Sequence, residues 1–204
     1  KISEGYIQSK LHELSGKTIE ISKTGEFFHV SKIGEGLVLK TPVSDEEFDD
    51  FEAFYQRLVV PTGGGVIAPG CIQDVSDLHI NLNVGGQLKR LRSILVQTEV
   101  TPFEERLETL LAEGETGKAT RLIDQFFAVQ AKMWSVGLID ENPTADRYGV
   151  IIEDGRERIV MFAVNSLTNN PSKFSRKIYR DAIDSFPETL RDYVSKKISN
   201  PSVI

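Results

Sequence analysis

Between Gly137 and Val150 the chain reads Gly-Leu-Ile-Asp-Glu-Asn-Pro-Thr-Ala-Asp-Arg-Tyr-Gly-Val, which places two carboxylates, Asp140 and Asp146, near an amide at Asn142 and a fixed cation at Arg147. A carboxylate held in such a loop can take a proton from a hydroxyl, assistance worth about 10²–10⁴-fold. An amide cannot. The guanidinium of Arg147 is always charged and its planar fork suits phosphate or carboxylate, so it can touch a ligand anion or pair with Asp146. A second cation, Lys40, ends the apolar run Leu37-Val38-Leu39, where an ammonium can either reach a phosphate or stand solvated at a strand end. Glu52 is the acid expected to meet it, with Glu47 as rival in the acidic stretch that also holds Asp45, Glu46, Asp49 and Asp50. Asp140 and Asp146 equally suit solvated turn positions.

The elements that must position these residues are read from period and punctuation. Leu11 to Leu14 reads as a short opening turn. Thr18 to Lys23 alternates apolar and polar side chains as a half-buried strand does. Thr24-Gly25-Glu26 turns it into a second strand, Phe27 to Ile33, and Gly34-Glu35-Gly36 leads to a third, Leu37 to Lys40. Pro42 ends that strand, and Ser44 with Glu47 is a capping box opening a helix to about Leu58, with Phe48, Phe51, Tyr55 and Leu58 on one face. Pro61 to Gly65 is a connection, and Val66 to Val75, Leu78 to Val84 and Ile94 to Val100 read as further strands. After Pro102 the period changes to that of helices, over Phe103 to Ala112 and Thr120 to Val136, with Leu122, Phe126, Val129, Met133 and Val136 sharing a face. A hairpin of Ile151-Ile152 and Ile159 to Phe162 turns at Glu153-Asp154-Gly155, and helices near Ser172 to Phe186 and Pro187 to Ile198 follow.

Composition narrows the classes. The 204 residues, 40% of them hydrophobic, suffice for one large domain or two small lobes. A net charge of −6 supplies no basic field for nucleic acid. One cysteine, Cys71, excludes an intrachain disulfide, and His12, His29 and His79 form no ligand-spaced pair, so no metal-ligating set is assigned. Cys71 reads as a small buried residue, Trp134, Phe126 and Phe127 as core. The cations Arg176, Lys177, Arg180, Arg191, Lys196 and Lys197 read as solvated helix faces. No apolar run reaches the roughly 18 residues of a membrane span and no signal peptide is visible, giving a cytoplasmic expectation, while the start at Lys1 leaves upstream processing open.

The loop from Gly137 to Val150 and the hairpin ending Ala163-Val164-Asn165 resemble the catalytic and metal-binding loops of the protein-kinase-like superfamily, in which His-Arg-Asp precedes an asparagine and the hairpin carries Asp-Phe-Gly. Leu37-Val38-Leu39-Lys40 is similar to the family's Val-Ala-Ile-Lys strand, and Ile94 to Val100 to its last strand and hinge. The resemblance implies an α+β, bilobal fold: residues 1–100 an antiparallel sheet plus one helix, residues 101–204 a small, mainly helical lobe. The short second lobe, with no Ala-Pro-Glu motif after Asn165, is similar to small bacterial kinase-like proteins, the group that includes lipopolysaccharide-core sugar kinases.

What the resemblance implies for chemistry is uneven. Lys40 and Glu52 take the phosphate-anchoring positions, and Gln97, Glu99 and Val100 those whose backbone would meet an adenine. The turn Lys23 to Glu26 lacks the glycines of a phosphate-covering loop. Asn142 stands where the catalytic base belongs, and Arg147 and Ala163 stand at the two metal-holding positions. The expectation is a pseudokinase, a binding or regulatory module for a protein partner with at most weak ATP binding and with Mg²⁺ disfavoured. The alternatives are an atypical ATP-dependent small-molecule or sugar kinase using Asp140 or Asp146, and an α+β interaction protein with no nucleotide site.

Overall fold

The computed structural model of the chain describes residues 3–25, 28–34, 36–44, 52–59 and 65–200. It divides into two compact units, Lys1–Gln56 with Pro69–Glu99, and Arg57–Ala68 with Val100–Ile204. Residues 57–59 and 65–68, expected within the first hundred-residue lobe, therefore group with the second unit.

The first unit opens on helix α1 (Glu4–Glu13), capped by Ser3, whose hydroxyl accepts from the Tyr6 N–H. This replaces the short turn expected at Leu11. Only Ile7 and Leu11 of the helix are buried, a pair one turn apart that leaves little periodic signal. The strand expected over Thr18 to Lys23 is two strands in different sheets. β1 (Thr18–Glu20) lies parallel to Asn81–Val84, whereas β2 (Lys23–Thr24) pairs antiparallel with β3 (Phe28–Gly34). β4 (Leu37–Pro42) follows, then β5 (Gly70–Asp74), β6 (Asn81–Val84), β7 (Gln87–Arg90) and β8 (Ser93–Thr98). Among the described residues one sheet runs β2-β3-β4-β8-β5 and another β1-β6-β7. Their shared core takes Leu37, Leu39, Ile94 and Val96 from the larger sheet, Ile80 and Leu82 from the smaller side and Ile7 and Leu11 from α1. Cys71, on β5, is half-buried instead of enclosed, and its Sγ receives Gln73 Nε2 at 3.3 Å.

Of the helix expected from Ser44, residues 45–51 lie outside the described residues, as do Glu26, Phe27, Glu35 and 60–64. Residues 52–54 are helical and Tyr55–Val59 forms a π turn.

The second unit begins with β9 (Thr101–Pro102) and α2 (Phe103–Ala112), then α3 (Thr116–Ser135). Phe126 of α3 meets Phe103, Tyr148 and Phe186 at ring-centroid distances of 5.8, 4.8 and 5.5 Å, so aromatic rings fill this core. Val136, expected on the apolar face, is the C-cap and is 45% exposed. Beyond it Gly137 has φ 78°, its N–H donates to Trp134 O and that of Leu138 to Met133 O. That Schellman closure ends the helix and launches the loop at a fixed angle.

β10 (Ile139–Asp140), β11 (Tyr148–Glu153), β12 (Arg156–Met161) and β13 (Leu167–Thr168) complete the strands. β11 and β12 form the expected hairpin, with Glu153 opposite Arg156, and β9 adds to the other side of β11. The returning segment is tied to β12, because Ala68 N donates to Met161 O and Met161 N to Val66 O. α4 (Arg176–Asp181) and α5 (Glu188–Ser199) end the described chain. α4 is flanked by short 3-10 turns and is shorter than the sequence period suggested.

Candidate functional site

β10 is only two residues long, yet it decides the character of the loop. Asp140 sits opposite Leu167 of β13, and Glu141 N donates to Ser166 O, so the backbone turns the Asp140 side chain inward. It is fully buried. Its Oδ2 accepts from the Tyr148 hydroxyl at 2.5 Å, and its Oδ1 from the Ser166 hydroxyl at 2.5 Å and the Asn142 N–H at 3.0 Å. Burial holds this carboxyl above the usual carboxylate range, against the pull of those three donors and of the Arg147 charge. Of the two carboxylates expected to serve as a base, Asp140 is thus the one occupied by internal donors. Asp146 is exposed in the 3-10 turn Ala145–Arg147, and Asn142 is exposed as well.

The donors reach further inward. Gln130 Nε2 donates to the Tyr148 hydroxyl at 2.6 Å, and the Tyr179 hydroxyl donates to Gln130 Oε1 at 2.9 Å. Burial pushes the Tyr148 phenol well above its ordinary value, with the Asp140 charge adding to the effect, and burial likewise raises Tyr179. Both phenols stay protonated and donate, which fixes the direction of every bond from Tyr179 to Asp140. Sequence reading missed Tyr148, Gln130, Tyr179 and Ser166. One signal was available: Gln130 is a polar residue directly beside the apolar stripe of α3, and it is fully buried.

Arg147 forms no ion pair with Asp146 among the described residues. Its guanidinium instead donates from one Nη2 to Asn165 Oδ1 at 2.6 Å and to Ala163 O at 3.2 Å. In return the Arg147 carbonyl accepts from Phe162 N at 3.1 Å and Ala163 N at 3.4 Å. The two loops singled out in the sequence are therefore stitched together, and the stitch is a cation. Just beyond, Gly149 lies so close to Val100 that a Cβ there would come within 2.4 Å of Val100 Cγ2, which only glycine avoids.

In the first unit, Lys40 is 7% exposed on β4, opposite Val30 of β3 and Leu95 of β8. Glu52 is half-buried in the helical residues 52–54, and its carboxylate joins no ion pair among the described residues. Its rival Glu47 lies outside them. Gln97 is buried on β8 between Val38 and Gly70. The Glu99 N–H donates to Gly36 O at 2.8 Å while its carboxylate pairs with Lys32, because pairing with β4 continues past the end of β8. Val100 already belongs to the second unit.

Among the described residues no group of three or more His, Cys, Asp or Glu lies close enough to hold a metal ion, and no helix is long and apolar enough to cross a membrane.

No protein-family model matches the chain, and no curated protein matches it. Solved structures do. A crystal structure of WbdD superposes with a TM-score of 0.51 at 14% identity, over 88% of this chain and 41% of that one. WbdD with the kinase inhibitor LY294002 gives 0.48 at 14% identity, over 89% and 41%. A divergent kinase that lacks the glycine-rich loop and regulates membrane ultrastructure of the Toxoplasma parasitophorous vacuole gives 0.49 at 10% identity, over 97% and 83%. This chain spans 41% of the WbdD chain it matches. At such identity the likeness shows the fold alone, and that much is plain: the chain has a protein-kinase-like fold.

Proposed function

We propose that the chain is a kinase-fold module that has given up phosphoryl transfer and serves as a binding or regulatory unit for a protein partner, with nucleotide held weakly at most. The observation that carries this reading is the Arg147 guanidinium lying on Ala163 O and Asn165 Oδ1. Magnesium needs a near-octahedral shell of oxygens, commonly with carboxylates among them. Position 163 offers a methyl group, and the nearest carbonyl and amide oxygens already face a fixed positive charge. These residues do not fit a magnesium ion. With Asn142 in the base position, the roughly 10²–10⁴-fold assistance of a general base is missing as well. Lys40, buried at the core of the larger sheet, is the group assigned to a phosphate, and Gln97, Glu99 and Val100 to the adenine side. The Glu99 N–H already bonded to Gly36 O weakens that side, in keeping with low affinity.

A thermal-shift series with ATP, in the presence and absence of Mg²⁺, tests this reading. Stabilisation that is small and no greater with magnesium supports it. A clear gain on adding magnesium overturns it, and no response to any nucleotide would favour the interaction protein without a nucleotide site.

One observation favours the enzyme alternative, an atypical small-molecule or sugar kinase: Asp146 is exposed beside Arg147 while Asp140 is sealed. That reading requires ATP turnover that Asp146→Asn abolishes.

A further inference from the structure

Asp140 gathers three separate stretches of the second unit onto one carboxylate. Tyr148 comes from the start of β11, Asn142 from the loop itself, and Ser166 from the 3-10 turn Val164–Ser166 that precedes β13. All three contacts are donors to it, and the Tyr179–Gln130–Tyr148 series behind Oδ2 leaves no donor free to reverse. An all-donor shell favours a negatively charged carboxylate, while burial works against that charge.

Where an added proton would go follows from the same bonds. On Oδ2 it would confront the Tyr148 hydroxyl, itself already receiving Gln130 Nε2, and force a buried O–H out of its bond. On Oδ1 it confronts the Ser166 hydroxyl, which is half-buried and can rotate from donor to acceptor. Ser166 adjoins Asn165, the residue that receives Arg147. A change at Ser166 is therefore carried by the backbone of one short turn to the cation that stitches the two loops.

We propose that Asp140 is a positioning residue, an ionised internal clamp whose uptake of one proton reverses the Ser166 hydroxyl and loosens the Arg147 bridge to Asn165 and Ala163. The titratable and charged groups facing it are Tyr148 from β11, Tyr179 of α4 through Gln130 of α3, and Arg147 from the 3-10 turn. Both phenols stay protonated well beyond the range of a carboxyl, so the titration belongs to Asp140. Burial raises its value above the ordinary carboxylate range. The proposal needs no nucleotide and stands or falls apart from the reading of function above.

The test is a titration of the full chain carrying ¹³C-carboxyl aspartate and ¹⁵N backbone labels. One aspartate is expected to titrate above the usual carboxylate range and to vanish in Asp140→Asn, while the amides of Asn142, Ala163 and Asn165 shift with the same midpoint. Ser166→Ala removes a donor to the charged form and should move that midpoint upward, and this mild substitution serves even if Asp140→Asn does not fold. An Asp140 midpoint at or below the ordinary range, amides at 163 and 165 that ignore it, or an unmoved midpoint in Ser166→Ala would each overturn the proposal.

Discussion

The two ends of one loop differ in what their polar groups face. At the inner end the buried Asp140, Tyr148, Gln130 and Tyr179 and the half-buried Ser166 bond to one another. At the outer end Asn142 and Asp146 are exposed, and Arg147 reaches across to Ala163 and Asn165. The difference separates two jobs within one loop. The buried groups bond to one another and fix the path of the backbone, while the exposed ones at the outer end take no part in that network, so the outer positions can change type with the backbone kept in place.

That separation is open to direct attack. Asp140→Ala should cost most, about 3 kcal/mol by denaturant unfolding, because it strands the Tyr148 hydroxyl and the Asn142 N–H without an acceptor. A cost under about 1 kcal/mol would mean the inner network does not hold the loop. Gly149→Ala should cost about 2 kcal/mol, since the new Cβ meets Val100 Cγ2 and Cβ at 2.4 and 2.6 Å. Adding Val100→Ala to it should recover part of that loss, a coupling that two independent sites would not show.

Acidity gives a third handle. Because burial raises the Asp140 value in the folded state, the native protein holds that proton more tightly than the unfolded chain does. The associated stability is fully present below the ordinary carboxylate value and is lost as pH rises through the raised native one. Asp140→Asn should flatten this part of the stability profile, and an unchanged slope would assign it to another group. The smallest effects belong to the outer end: Asn142→Asp and Asp146→Asn should each move stability by no more than about 0.5 kcal/mol.

Local pattern carried much of the fold. Pro102 and the change of period located α2 at Phe103–Ala112, the run before Pro42 located β4, and Asp154-Gly155 located the β11–β12 turn. What local pattern could not carry was pairing across the chain. β1 ends at Glu20 because its partner, Asn81–Asn83, lies far along the sequence, while Lys23 turns to Val30. The missed helix α1 buries only two side chains, too few for a stripe.

The site divides the same way. Asn142, Arg147 and Ala163 sit in one loop and one hairpin, so the resemblance alone was enough to single them out. The network that ends on Asp140 draws its members from α3, β11, α4 and the turn before β13, and no spacing rule joins them. Arg147 illustrates the limit: its neighbour in sequence, Asp146, suggested an ion pair, whereas its bonds run to Asn165.

The function proposed for this kinase-like fold is that of a module that keeps its loops in shape without moving a phosphoryl group, and steady-state phosphate transfer from Mg·ATP by the purified chain tests it most directly. No turnover above background is the predicted result, for the wild type and for Asp146→Asn alike. Sustained, magnesium-dependent turnover that Asp146→Asn abolishes would contradict it.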